Sequence, residues 1–271
     1  MPLSEAQLAN LPSDVYSLSK DERKAAYAVV GRGMCGTSDH LPEPANHWQI
    51  GPELQNCDDP QRREVVEFIM TVYLEAQHNP DWEGSEFLAT RDADGAITAV
   101  ALCHRMEAGE ESFLSKLASP FRRASALFAA AKSGVPGLFA DKLPADQQKV
   151  AKVRASIRLR GSAVEEGVDH MHAASQPSAH WYVAALAVEP ESQGKGLGKK
   201  LLSAVSRIAD SEGLPCYLDC GSERHCRIYE RSGYSVVCQK AIKVTDVPEE
   251  VPGEWPEEQV EYGLTRSPQA M

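Results

Sequence analysis

The sequence lacks a long apolar run, and none of its segments approaches the roughly 20 apolar residues that a membrane-spanning helix needs. Its opening also lacks the charged-then-apolar pattern of a secretory signal. Positive charge is scarce: Lys and Arg number 28 against 39 Asp and Glu, for a formal net charge of −11. This balance disfavours nucleic acid as a general partner. These shortages predict a cytoplasmic protein with neither a membrane nor a nucleic acid as its partner.

The seven cysteines lack a metal-binding pattern, because no C-x-x-C pair occurs among them. Several lie in apolar runs, as buried and reduced thiols do: Cys103, Cys216 and Cys238. Three histidines, His170, His172 and His180, lie close together along the chain. Without a carboxylate or cysteine pattern beside them, they give weak grounds for a metal site. We therefore predict no metal and assign these histidines no role.

Hydrophobic periodicity predicts helices in the first part of the chain and strands after them. Helical spacing follows a capping box at 19–22 and returns from Arg62 to Gln77. Residues 87–92 and 96–103 then predict two strands joined by a tight turn. The stretch 106–178 is Ala-rich and helical by pattern. Basic residues alternate there with apolar ones and predict a solvated helix face: Lys149, Lys152, Arg154, Arg158 and Arg160.

The second half of the chain begins with a strand at His180–Val188, which is apolar with almost no alternation and is predicted to be buried on both faces. A glycine-rich turn and an amphipathic helix over 197–211 follow. Further elements are predicted as a strand at 216–220, a helix at 223–232 and a strand at 234–242. Residues 247–261 combine proline with many carboxylates and predict an acidic peripheral tail with room for one edge strand.

The turn between that buried strand and the amphipathic helix reads Gln193-Gly194-Lys195-Gly196-Leu197-Gly198. Glycines let backbone N–H groups converge on an anion at the positive end of a helix. Lys195, Lys199 and Lys200 add positive charge, so we interpret the segment as a phosphate cradle. A dinucleotide fingerprint fails because its third glycine position holds Lys199, and a Walker A loop fails because its first glycine position holds Gln193.

The pattern that the cradle does match, [QR]-x-x-G-x-[GA], resembles the acyl-CoA pyrophosphate loop of the GNAT superfamily of N-acetyltransferases. The surrounding residues 186–198 resemble the strand-to-helix corner of that family. Residues 228–234, which read I-Y-E-R-S-G-Y, resemble its second landmark, Y-E-[RK]-x-G-[FY]. The resemblance is close over 180–238 and weaker over 15–105.

This resemblance implies an α/β (α+β) fold: a central mixed, mostly antiparallel sheet of six to seven strands, splayed between the fourth and fifth strands, with helices on both faces. It implies a single N-acetyltransferase domain over residues 1–271, with its core at about 15–105 and 179–243. Residues 106–178 are expected to be a helical insertion, similar to that of fungal and actinobacterial members, and 244–271 an acidic tail. Dimers are frequent in the family, so a homodimer is a further expectation.

The resemblance also implies acetyl-CoA as co-substrate. Its pantetheine arm is expected along the strand that ends at Val188, and its pyrophosphate in the cradle. The binding residues implied in this way are Leu186, Ala187, Val188, Gln193, Gly194, Lys195, Gly196, Leu197, Gly198, Lys199, Ser222 and Tyr229. Ser222 stands where many relatives carry asparagine, and its hydroxyl either contacts the cofactor or caps the next helix.

Acetyl transfer to an amine requires a proton acceptor for the amine, a donor to the carbonyl oxygen and an acid for the departing thiolate. Tyr229 matches the family's thiolate-facing tyrosine, against the alternative of an aromatic that anchors its helix. The backbone N–H near Val188 is the oxyanion donor that the family implies. Asp219 is the candidate general base, against a structural carboxylate or a water relay, whereas His180 and Tyr182 are expected to pack.

The predicted function is therefore transfer of an acetyl group from acetyl-CoA to a primary amine of a small molecule. Direct transfer in a ternary complex is favoured, because the thiols of Cys220 and Cys226 lack the activating His or Lys that a ping-pong route needs. Two alternatives remain open. One is acetylation of a protein lysine or amino terminus, and the other is a non-catalytic acyl-CoA-binding interaction module.

Overall fold

The computed structural model describes residues 3–51, 54–77, 85–108, 147–175, 178–243 and 258–270. Seven helices lie in these ranges: α1 (Glu5–Ala9), α2 (Arg23–Cys35), α3 (Pro44–Ile50), α4 (Pro60–Gln77), α5 (Gln147–Ser175), α6 (Leu197–Glu212) and α7 (Glu223–Glu230). The same ranges contain seven strands: β1 (Tyr16–Ser17), β2 (Ser85–Arg91), β3 (Ile97–Met106), β4 (His180–Val188), β5 (Cys216–Cys220), β6 (Ser235–Lys243) and β7 (Glu258–Arg266). No helix within this part of the chain is long and apolar enough to cross a bilayer.

The strands form one sheet in the order β1-β2-β3-β4-β5-β7-β6. Neighbouring strands run antiparallel throughout, except for β4 and β5, which run parallel. Helices α2 and α4 pack on one face of the sheet and α6 packs on the other. The expected fold is confirmed: a mixed, mostly antiparallel sheet of seven strands with helices on both faces.

Helix α6 shows how local sequence positions the site. It begins after Gly196 and ends at Gly213, both with left-handed backbone, which glycine adopts without steric cost. Between these ends the apolar stripe predicted from periodicity is buried against the sheet at Leu201, Val205 and Ile208. Burying each such side chain contributes about 1.5–3 kcal/mol, so the stripe holds the start of α6 against the end of β4.

Strand β7 corrects the sequence-based expectation for the C-terminal segment. That segment was expected to be peripheral, with any strand at an edge, yet β7 lies between β5 and β6 and pairs with both. Leu264 is fully buried, and Glu261 is only 2% exposed. The acidic composition concealed a strand whose alternate residues Val260, Tyr262 and Leu264 are apolar.

A second correction concerns the basic helix face. The side chain of Arg160 is 4% exposed, and its guanidinium lies over the Trp48 ring, 5.5 Å from the centroid. For this residue the expected solvated position is wrong, because an aromatic face on α3 offers a cation–π contact. Residues 109–146 of the expected insertion and 244–257 of the expected tail lie outside the described residues, and the division of the chain into core, insertion and tail stays a prediction.

Candidate active site

Strands β4 and β5 pair only over a short stretch. Their parallel register joins Trp181 with Cys216, Tyr182 with Tyr217, and Val183 with Leu218. Beyond Val183, β4 runs on to Val188 beside β3 while β5 runs on to Cys220 beside β7. The two central strands therefore separate and leave a gap, which is the splay expected from the sequence.

Along β4, the backbone N–H groups of every second residue change from pointing toward β5 to pointing toward β3. The Trp181 N–H donates to the carbonyl of Pro215, just before β5, at 2.9 Å. The Glu189 N–H, immediately after β4, donates instead to the Thr98 carbonyl on the β3 side, also at 2.9 Å. In a regular strand, residues an even number apart point their N–H groups to the same side. Trp181 and Glu189 are eight residues apart and point to opposite sides, so β4 must contain one extra residue between them.

The extra residue is Ala184. In the β3–β4 register Leu102 is paired with Ala185, whereas the next residue, Cys103, is paired with Val183. This is a β-bulge, in which one residue of a strand has no partner opposite. The side chains change face with it: Val183 packs with the α6 core, whereas Ala185 packs with the α2 and α4 core.

The bulge decides which of the expected cofactor-binding residues on β4 face the gap. After it, Leu186 and Val188 direct their N–H and C=O groups away from β3, toward the side where pairing with β5 has ended. Ala187 is paired with Val100 of β3, and its side chain is buried against α2 and α4. The gap is therefore lined by backbone groups of Leu186 and Val188 that pair with neither neighbouring strand.

Helix α2 packs closely against the end of β4. A Cβ on Gly33 would lie 2.8 Å from the Val188 carbonyl oxygen and 3.2 Å from its nitrogen, so only glycine fits there without displacement. Next to it, Arg32 donates from Nε to both carboxylate oxygens of Glu189 at 3.1 Å, and this contact raises the pKa of the arginine. The side-chain amide of Gln193 also reaches the Val188 carbonyl, at 3.4 Å.

The cradle has the backbone of an anion-binding turn. Gly194 and Gly196 have φ of 77° and 78°, and a Cβ on either would meet no atom within 4 Å, so backbone conformation and not crowding requires glycine. No side chain caps α6 at Gly196, which leaves first-turn N–H groups available to an anion. Lys195 and Lys199 are exposed beside them. This arrangement fits a diphosphate.

Tyr229 lies on α7, which follows β5. The Ser222 hydroxyl accepts from the His225 N–H at 3.3 Å and so caps α7, while its contact with the cofactor stays a prediction. Burial raises the pKa of Tyr229, as do the negative charges of Glu43 and Asp219. The phenol is thus protonated at neutral pH and can donate a proton.

Asp219 projects from β5 and accepts a hydrogen bond from the Tyr182 hydroxyl at 2.8 Å. Burial raises the pKa of Asp219 to about 7, the negative charges of Glu43 and Asp169 add to the rise, and the Tyr182 hydrogen bond opposes it. A carboxylate with a pKa near neutrality is suited to accept a proton from an amine. Tyr182, expected to be a packing residue, therefore also orients the candidate base.

Two further carboxylates near Asp219 escaped the sequence-based prediction. Glu43 caps α3 by accepting from the Asn46 N–H at 2.7 Å, and Glu261 on β7 accepts from the Gln259 side chain at 3.2 Å. Glu43 lies between the two helices predicted from the sequence, where no element is predicted, although a carboxylate directly before Pro44 is a helix-start signal. Glu261 lies in the segment predicted as a peripheral tail.

Two of the three histidines, His172 and His180, pack against each other. Nε2 of His172 lies 2.6 Å from Nε2 of His180, whose Nδ1 lies 2.7 Å from the Ser178 carbonyl. Burial lowers the pKa of His172 to about 3, so this ring is neutral. His170 is exposed. In the ranges that the structure describes, no three or more His, Cys, Asp or Glu side chains are grouped so that they could hold a metal ion.

The two thiols near the site are also buried. The Sγ atoms of Cys220 and Cys226 lie 3.6 Å apart, and burial raises the pKa of both thiols. A protonated thiol is a poor nucleophile. Neither cysteine is therefore suited to carry an acetyl group.

Residues 155–234 match the model of the acetyltransferase (GNAT) family. Among curated proteins the chain is similar to an uncharacterized N-acetyltransferase of Schizosaccharomyces pombe, with 38% identity over 72 residues. The match covers 27% of this chain and 28% of the relative, so it spans less than a third of the relative's length.

Solved structures with a similar course of the chain include the polyamine N-acetyltransferase of Drosophila melanogaster, with 16% identity, a TM-score of 0.49, and coverage of 93% of this chain and 98% of that one. Another is arylalkylamine N-acetyltransferase 2 of Aedes aegypti, with 13% identity, a TM-score of 0.49, and coverage of 94% and 98%. The family match itself contains β4, the cradle, β5 and Tyr229. Over that segment, the chain is similar to the GNAT family of acetyltransferases.

Proposed function

We propose that this protein transfers the acetyl group of acetyl-CoA to a primary amine of a small molecule, by direct transfer in a ternary complex. The observation that carries the proposal is the gap between β4 and β5, which leads from the glycine cradle toward Tyr229 and Asp219. An elongated thioester with a diphosphate at one end suits such a path. We also propose that the enzyme acts in the cytoplasm and uses no metal, which agrees with its net negative charge and its free thiols.

The residues that would hold acetyl-CoA are those of the cradle and of the end of β4. The first-turn N–H groups of α6 and the ammonium groups of Lys195 and Lys199 would bind the diphosphate. The backbone of Leu186 and Val188, unpaired on the gap side, would bind the amide groups of the pantetheine arm. When bound, acetyl-CoA supplies an acetyl group activated as a thioester.

The remaining side chains would manage protons. Asp219, oriented by Tyr182, would take a proton from the ammonium form of the acceptor, since a pKa of about 7 leaves much of it ionised at neutral pH. Val188 would donate its N–H to the carbonyl oxygen under attack. Tyr229 would return a proton to the departing thiolate, which has a pKa near ~8.5 as a free thiol.

Burial around Asp219 supports a small acceptor. Its own face of the sheet is covered by α3 and α5, and the neighbouring Glu261 is 2% exposed. A protein lysine or amino terminus is attached to a polypeptide, so it would need a channel wide enough for that chain to reach the same carboxylate. A small amine needs only a channel of its own width.

Release of free thiol tests the proposal. The purified chain is mixed with acetyl-CoA and a panel of primary amines, and acetylated product is detected by mass. Tyr229→Phe is expected to lower kcat by about 100-fold while leaving the KM for acetyl-CoA near its original value, because only proton return is lost. Tyr16→Phe, on exposed β1, is the matched control and should be silent. Binding of acetyl-CoA without thiol release from any amine would overturn catalysis and favour a binding module.

A further inference from the structure

The face of the sheet that carries Asp219 holds more carboxylates than one proton transfer requires. Glu43 precedes α3, Asp219 is on β5 and Glu261 is on β7, so three distant parts of the chain contribute one group each. Burial raises the pKa of Asp219 and of Glu261; negative charge on Glu43 adds to both rises, and Asp219 adds to that of Glu261. The three groups, here called the acidic trio, therefore lie within electrostatic reach of one another.

The acidic trio has no positive partner within the described residues. Glu43 accepts from the backbone and side chain of Asn46, Asp219 accepts from Tyr182, and Glu261 accepts from Gln259. All of these donors are neutral. Buried like charges are unfavourable unless they take up protons or meet a cation. A cationic ligand would supply the missing charge.

A separate observation at the same place indicates a ligand. Tyr217 is completely buried, and its hydroxyl lies near the Cys238 thiol but makes no hydrogen bond of normal geometry in the described part of the chain. It lies on the same side of β5 as Asp219, two residues away. Burial raises the pKa of Tyr217, and the negative charge of Asp219 adds to the rise. The hydroxyl ends 2.6 Å from where a Cβ of Gly263 would be, and Gly263 is the register partner of Asp219. Its oxygen can accept from an N–H group.

Gly221 is closely packed between two members of the trio. It follows β5 directly, and a Cβ there would lie 3.1 Å from a carboxylate oxygen of Glu261 and 3.1 Å from the Ala45 nitrogen at the helix end that Glu43 caps. Glu43 and Glu261 thus lie on two sides of Gly221. Burial raises the pKa of Tyr229 and the charge of Glu43 adds to the rise, so the trio adjoins the proposed reaction centre.

We infer that the acceptor is a dication, such as a small diamine, and that Glu43 and Glu261 bind its second positive charge while its reacting amine meets Asp219, beside which Tyr217 lies. This inference rests on the proposed function and adds a substrate class to it. The carboxylate oxygens of Glu43 and Glu261 can accept from the N–H donors of one ammonium group, and the Tyr217 hydroxyl can accept from the amine that meets Asp219. A monoamine would leave the buried carboxylates without a counter-charge, so it should bind less tightly.

The test compares 1,4-diaminobutane with 1-aminobutane, which has the same carbon chain and one charge fewer. The native protein is expected to show kcat/KM for the diamine at least about tenfold above that for the monoamine. Glu261→Gln should lower the diamine value by about tenfold, mainly through KM, and change the monoamine value by less than about twofold. Glu43→Gln should lower the diamine value about tenfold more than the monoamine value, since the charge of Glu43 also acts on Asp219. Glu258→Gln, an exposed carboxylate on the same strand, is the matched control and should change neither.

The two proposals fail in different ways. Equal kcat/KM for both amines, or variants that lower both values together, overturn the dication inference and leave acetyl transfer intact. If neither amine is acetylated, calorimetric titration of the diamine into the protein with coenzyme A decides: binding that Glu261→Gln removes sustains the inference, and no binding overturns it. Glutamine keeps the acceptor oxygen that caps α3, and should Glu43→Gln still unfold, Glu261→Gln alone decides the outcome.

Discussion

The two faces of β4 and β5 carry side chains of opposite character. On the α6 side, Trp181 and Leu218 join a core that is apolar throughout. On the α5 side, Tyr182, Tyr217 and Asp219 bring hydroxyl and carboxyl groups into a buried space. Because strand residues alternate between faces, one short pair of strands supplies both a stable core and a reactive surface. Substitutions on the α6 side should therefore change mainly stability, and substitutions on the α5 side mainly chemistry.

The largest effect is expected on the apolar face. Leu201 is fully buried in α6, and Leu201→Ala should lower the free energy of unfolding by about 2–5 kcal/mol, since it removes buried methyl groups and leaves a cavity. Denaturant unfolding measures the loss. Val236→Ala, at a position 40% exposed on edge strand β6, is the control and should change stability by less than about 0.5 kcal/mol. Equal losses for both variants would contradict an apolar core centred on α6.

The second effect is expected on the polar face and depends on pH. Asp219 binds its proton more tightly in the folded protein, where its pKa is about 7, than in the unfolded chain, where it is 3.8. Its contribution to stability is therefore fully present at low pH and is lost as pH rises through about 7, by up to about 4 kcal/mol. Asp219→Asn should reduce this loss between pH 5 and pH 8. Part of the dependence should remain, because Glu43 and Glu261 also have raised pKa values.

Thermal unfolding at both pH values measures this difference, and an unchanged pH dependence in the variant would contradict a protonated Asp219. The same variant bears on catalysis. If Asp219 is the base, kcat/KM of the native protein rises with pH through about 7, and Asp219→Asn lowers it by roughly 100-fold and removes the rise. A retained rise would favour the water relay.

The smallest effect is expected at the cradle, which lies at the start of α6, the helix that covers the apolar face. Gly196→Ala forces a left-handed backbone on alanine and should cost about 1–2 kcal/mol of stability. Gly95→Ala is a matched control, since Gly95 has a φ of 85° and equally open surroundings. Both variants should lose similar stability, but only Gly196→Ala should weaken acetyl-CoA binding, by about tenfold in calorimetry. Equal affinities would contradict the cradle.

Local signals in the sequence predicted much of the fold and part of the site. The uninterrupted apolar run and the glycine-rich turn fixed the bounds of β4 and the start of α6 because both patterns reflect neighbours along the chain. The position of β7 was not predictable in this way, since it depends on pairing with β5 across about forty residues. The acidic trio was missed for the same reason. Glu43, Asp219 and Glu261 each have an ordinary local context, and only the folded sheet brings them together.

The bulge at Ala184 has a consequence for how such a chain can change over time. Deleting that one residue would restore the alternation of β4, turn the amide and carbonyl of Val188 onto β3, and exchange the inward and outward side chains beyond it. The gap between β4 and β5 would then lose the backbone groups that we propose bind the pantetheine arm. Deletion of a single unpaired alanine, which has no reactive group, can thus remove the whole proposed cofactor-binding gap at once.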